Sequence, residues 1–148
     1  MRYYEKEVLS IPAGRSITKV EKHKIYECPN NKYFNHKKAL FVTFRHSGSI
    51  MKKLYKIDEI LILNPSLKNG IESFNNSTFS KEIKLRILKY IGEYKTAGEE
   101  NFYILSESEI IPLVNVPKIK YPFRKYTYFN LSEILTEKEL IVESQKNT

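Results

Sequence analysis

Tryptophan is absent from this chain, cysteine occurs once (Cys28) and aspartate once (Asp58). One cysteine excludes an internal disulfide framework and any multi-cysteine zinc site. One aspartate argues against magnesium-assisted phosphoryl chemistry, which draws on several carboxylates. His23, His36 and His46 have no carboxylate or cysteine at metal-ligand spacing beside them. They read as surface residues, and neither a metal nor another cofactor is expected. Gly14, Gly48, Gly70, Gly92 and Gly98 never cluster, so no GxxxxGK or GxGxxG phosphate loop exists. No apolar run approaches the roughly 20 residues that span a bilayer. The opening Met-Arg-Tyr-Tyr-Glu-Lys-Glu carries no apolar signal core. A soluble cytoplasmic protein with no membrane partner is expected.

What is present is basic charge. The 148 residues hold 25 Lys plus Arg against 17 Asp plus Glu, a formal net charge of +8. A 41% hydrophobic fraction is too rich for a disordered chain, and the length suits one domain. A single domain over 1–143 with a frayed tail over 144–148 is expected. The charge is uneven: 1–57 carry 13 basic and 4 acidic side chains, and 114–130 carry 4 basic and none acidic. Between them, 58–113 carry 6 basic and 9 acidic. Two separated segments therefore hold the excess. If the fold joins them, the result is a positive face that concentrates phosphates.

The N-terminal half reads as strands: Glu7–Pro12, Lys24–Cys28 and Ala39–Arg45, then a tight turn and an alternating strand over Ile50–Ile57. Ile50, Leu54 and Lys52 fall on one parity, with Met51, Tyr55 and Ile57 on the other. Glu59–Leu63 is a further strand, stopped by Asn64-Pro65. The period then changes. Ser80 caps a helix over Lys81–Tyr94 whose Ile83, Ile87, Tyr90, Ile91 and Tyr94 form one stripe, widened by Leu85 and Leu88. Asn101–Leu105 and Arg124–Phe129 return to strand, with 110–116 extended. Asn130 with Glu133, and Thr136 with Glu139, make capping boxes for two short helices. Short strands with a covering helix predict an α+β fold, a small β-barrel or strongly curved sheet with one amphipathic helix and short C-terminal helices.

No catalytic set stands out. Cys28 reads as a packed, inert thiol in an apolar strand. A metal-independent ribonuclease or toxin-like enzyme could use His46 beside Arg45 with Arg124 and Tyr126, and this is the alternative reading. Binding is better supported. Segments 32–46 and 118–128 interleave aromatics with Lys and Arg, the combination that stacks bases while meeting phosphates. Lys37, Lys38, Lys52, Lys53, Lys118, Lys120, Arg124 and Lys125 would capture the polyanion. Tyr33, Phe34 or Tyr126 would stack on a base, and Arg15 or Arg45 would grip a phosphate or base edge. The expected partner is RNA or DNA. A third reading has the basic face meet an acidic protein surface.

The order of several segments resembles a known group. It runs Ser10-Ile11-Pro12-Ala13-Gly14-Arg15-Ser16-Ile17, then Lys24 to Pro29, Lys32-Tyr33-Phe34, Ala39 to Arg45 and Leu54-Tyr55-Lys56-Ile57. It closes with Asn101 to Leu105, Ile110 to Leu113 and Arg124 to Leu131. This is similar to uncharacterised bacterial proteins with a PUA-like barrel, the superfamily of the EVE, ASCH and YTH domains, over residues 7–135. The resemblance implies a mixed barrel that binds RNA, DNA or a flipped or modified base in a cleft. It also implies a setting of bacterial defence or RNA metabolism, with a nuclease as one protein partner. Tyr and Phe would take the place of a Trp-lined base cage. No catalytic motif carries over.

Overall fold

The computed structural model describes residues 7–14, 16–31, 39–46, 49–96, 98–119, 125–135 and 140–141. Its strands are β1 (Glu7–Pro12), β2 (Ile25–Pro29), β3 (Phe41–His46), β4 (Ile50–Leu63), β5 (Glu100–Pro112), β6 (Lys118–Ile119), β7 (Thr127–Asn130) and β8 (Leu140–Ile141). The helices are α1 (Ile17–His23), α2 (Lys68–Asn75), α3 (Lys81–Glu93) and α4 (Leu131–Leu135). The α+β class expected from the sequence is observed. The barrel is not. Strand pairing follows the path β2-β5-β4-β3-β1-β7, with β6 on β4 and β8 on β6, and no pairing among the described residues joins β2 to β7. The ends of the path are short, and β2 ends on Pro29, which has no N–H to offer a further strand. The sheet is mixed: β1 and β3 run parallel, while β1–β7, β2–β5 and β3–β4 are antiparallel.

The chain divides into two compact units, 1–18 with 37–58 and 106–148, and 19–36 with 59–105. In the first unit, β1 lies between β3 and β7, and its Val8, Leu9, Ser10 and Ile11 are all buried. Val8, Met51, Leu54, Leu113, Phe129 and Ile134 form its core. Asn130 directly precedes α4, as the expected capping box requires. Residues 136–139 of the second expected box, and the tail, lie outside the described residues.

In the second unit, Ile25, Leu61, Leu63, Phe74, Ile87, Tyr90, Phe102 and Ile104 make the core. The Ser80 hydroxyl accepts from the Ile83 N–H at 3.2 Å, the expected N-cap of α3. Ile87 and Tyr90 are buried, and Ile83, Leu88, Ile91 and Tyr94 pack on that core. Leu85 does not widen the stripe. It lies about 200° around the helix from Ile83 and is 68% exposed.

Candidate nucleic-acid interface

β3 and β4 are out of step by one residue. Thr43 pairs with Leu54 and Arg45 with Met51, so Phe44 alone faces the two residues Lys52 and Lys53. This is a β-bulge in β4. It overturns the simple alternation read from the sequence: Met51 and Leu54 are three apart yet share one core. Because the extra residue is absorbed at the two lysines, the core face keeps its pairing on both sides. Lys52 is exposed and Lys53 half-buried.

The segment after β5 docks on the bulge. The Leu113 N–H donates to the Lys52 carbonyl at 2.8 Å, and the Met51 N–H donates to the Pro117 carbonyl at 2.9 Å. Lys118 then pairs with Ile50. The basic stretch at 118 is thereby tied to the basic stretch at 50–53 by backbone hydrogen bonds. The turn between them closes with the Val116 N–H on the Leu113 carbonyl at 3.0 Å. Val116 has φ 44, a left-handed conformation that costs a β-branched residue about 1–2 kcal/mol.

Arg45 is 3% exposed. Its Nη1 donates to the Ser10 carbonyl and to Ser10 Oγ, both at 3.0 Å, and its Nη2 donates to the Lys125 carbonyl at 2.5 Å. Burial pulls the guanidinium down to about 10, still charged at neutral pH. These bonds turn Arg45 toward β1 and hold Lys125 to it. Beside it runs a buried polar row across three strands, Thr43, Ser10 and Thr127, set by register. The Thr43 hydroxyl in that row has no hydrogen-bond partner. Tyr126 is half-buried and meets Tyr128 edge-on at 6.2 Å.

Of the residues expected to bind, Lys52, Lys53, Lys118, Lys125, Arg45 and Tyr126 are thus all in the first unit. Arg15, Tyr33, Phe34, Lys37, Lys38, Lys120 and Arg124 lie outside the described residues. None of the ion pairs among the described residues involves Lys52, Lys53, Lys118 or Lys125. Lys56, by contrast, meets Glu109 at 3.1 Å. The first unit carries 15 basic and 9 acidic side chains, +6, and the second 10 and 8, +2.

The second unit holds a polar cluster that the sequence did not announce. The His23 side chain, read as a surface residue, is only 6% exposed; its Nε2 meets Glu93 at 2.7 Å, and Tyr90 and Tyr94 stand edge-on to the ring. Lys22 also pairs with Glu93 at 2.5 Å, and that bond, before the one from His23, draws the Glu93 carboxyl below its ordinary value. The Tyr90 hydroxyl donates to Glu27 Oε1 at 2.8 Å, and burial with that bond raises its pKa. These contacts join α1, β2 and α3 over sequence separations of 63–71 residues, which no local pattern encodes. Cys28 is buried, and desolvation pushes its thiol up to about 12, the inert state expected of it. No group of three His, Cys, Asp or Glu able to hold a metal occurs among the described residues, and no described helix is long and apolar enough to cross a membrane.

No family model matches the chain, and no curated protein matches it. Among solved structures, the chain is similar to the ASCH protein of Zymomonas mobilis, at 9% identity and a TM-score of 0.43, over 87% of this chain and 90% of that one. A mutant of the same protein gives 10% identity and a TM-score of 0.44, over 88% and 92%.

Proposed function

We propose that this chain is a non-enzymatic module, a single domain over 1–143, that captures RNA or DNA on the basic face of its first unit. The observation that carries the reading is the bulged β4 with the 113–118 turn docked on it. That arrangement ties two basic segments together with backbone hydrogen bonds and leaves Lys52, Lys53, Lys118 and Lys125 outside every described ion pair. Cations so held release counterions from phosphates, and the second unit, at +2 against +6, is less basic. Tyr126, next to Lys125, would offer a ring to a flipped or modified base, with Tyr33 and Phe34 as further candidates. Arg45 enters as the residue that positions the Lys125 backbone.

The test is binding of fluorescent single-stranded and duplex oligonucleotides from 50 to 200 mM salt. Each lysine that meets a phosphate adds about 0.7 (single strand) or 0.9 (duplex) to the log–log slope. Four lysines predict a slope near −3 to −4, a loss of roughly 50- to 150-fold across that range. A flat salt response, or no binding to any oligonucleotide at low salt, overturns the reading. Cleavage of RNA in EDTA that His46→Ala abolishes would replace it with the enzyme.

A further inference from the structure

The turn that docks on the bulge is the most exposed apolar point of the described chain. Val114 is 95% exposed and Val116 39%. A mobile tip could hide such side chains, but this one is fastened. Leu113 and Pro117, the residues on either side, are hydrogen-bonded to Lys52 and Met51, and the turn closes on itself through Val116 and Leu113. Val116 is kept at φ 44 in spite of its branched Cβ, a conformation that persists where the surrounding structure over-determines it. Cations stand beside both fastenings: Lys52 accepts the bond from Leu113 and follows Met51 in sequence, and Lys118 follows Pro117 and pairs with Ile50. Both lysines are exposed.

We propose that Val114, with Val116 in the same turn, is a rigid apolar wedge that enters between neighbouring bases of the bound nucleic acid while Lys52 and Lys118 meet the phosphates on either side. The inference rests on the nucleic-acid reading above and names the part of the interface that would unstack bases. Charge complementarity selects the occupant. An aliphatic tip flanked by lysines matches a base step flanked by phosphates, where apolar side chains are known to wedge and unstack. The rigidity of the turn matters to this role, because a wedge held in place before binding loses less conformational freedom on binding.

The experiment uses the full chain and oligonucleotides carrying 2-aminopurine, whose emission rises when it unstacks. Wild type should bind with rising emission. Val114→Ser changes a side chain that is 95% exposed, so the fold is untouched. It should weaken binding roughly tenfold, the loss of one buried valine side chain, abolish the emission rise and leave the salt slope unchanged. Lys52→Gln and Lys118→Gln should each lower the slope by about 0.7–0.9. Wild-type affinity and emission in Val114→Ser overturn the wedge while leaving the basic-face reading intact. Salt-dependent binding by wild type with no emission rise does the same. Absence of binding to every oligonucleotide overturns both, as does Val114-dependent binding to phosphatidylserine vesicles in place of oligonucleotides.

Discussion

Arg45 separates two readings of one residue, and a substitution decides between them. From sequence it is a phosphate-gripping cation. In the structure it is 3% exposed and directs its guanidinium to the Ser10 carbonyl, Ser10 Oγ and the Lys125 carbonyl. Arg45→Met keeps much of the length and removes all three bonds. The Ser10 carbonyl lies on a fully buried residue, whereas Lys125 is exposed and its carbonyl can turn to water. A buried acceptor left unpaired costs about 1–3 kcal/mol, and a bond from a charged donor contributes about 1.5–3. Removing the buried guanidinium also removes its desolvation cost, which offsets part of this. The expected net loss is about 2–4 kcal/mol, read as a lower urea midpoint at unchanged m-value. A buried guanidinium displaces no counterion, so the salt slope of oligonucleotide binding should stay at its wild-type value. Arg45→Lys provides a milder variant if Arg45→Met proves too unstable to assay. Stability within about 0.5 kcal/mol of wild type, together with a slope shallower by about one, would refute the anchoring role and restore the phosphate ligand.

Two further outcomes follow from the second unit. Arg86 Nη2 donates to the carbonyls of His23, Lys24 and Leu105 at 3.3, 3.1 and 2.9 Å. Arg86→Met should cost about 2–4 kcal/mol in urea unfolding, whereas Leu85→Gln, on the exposed side of the same helix, should stay within about 0.5. The second prediction concerns alkaline pH. The Cys28 thiol ionises near 9 when unfolded but is held protonated to about 12 when folded, so its contribution is complete below pH 9 and is lost as pH rises from 9 toward 12. Between pH 9 and 10 the stability should fall at up to about 1.4 kcal/mol per pH unit. Cys28→Ala should make that segment shallower in urea titrations at pH 8, 9 and 10. The buried Tyr26 and Tyr90 hydroxyls, also raised by desolvation, add a smaller share of the decline between pH 9 and 10 and steepen it further above pH 10. An equally steep decline in Cys28→Ala between pH 9 and 10 would assign it elsewhere.

Elements with strong local periodicity were legible in the sequence, and those set by distant contacts were not. β1 and α3 match their expected spans because branched apolar residues and a capped stripe specify them locally. α1 escaped because Ile17, Thr18 and Val20 look like strand residues, and only Val20 is buried. Its end is fixed from outside, by Arg86 on the His23 carbonyl and a left-handed Lys24 at φ 55. α2 carries Gly70 in its interior, a helix-breaking sign. A Cβ there would lie 2.5 Å from the Asn64 carbonyl oxygen, so the close approach demands glycine. β4 and β5 each run through polar stretches, Asp58 and Ser106–Glu109, that read as breaks. In the candidate site, the basic segments themselves were visible. The bulge was not, because it exists only as a relation between two strands. Nor was the burial of Arg45, whose partners lie 35 and 80 residues away.

The bulge has a consequence for how this surface can change over generations. Along a regular strand each outward side chain has an inward neighbour whose packing limits it. At positions 52 and 53 the count is relaxed, since the core pairing resumes at Met51 on one side and Leu54 on the other. Substitutions at those two lysines can therefore accumulate with little effect on folding. The chain keeps a small area of surface whose side chains can change while Met51 and Leu54 carry the packing.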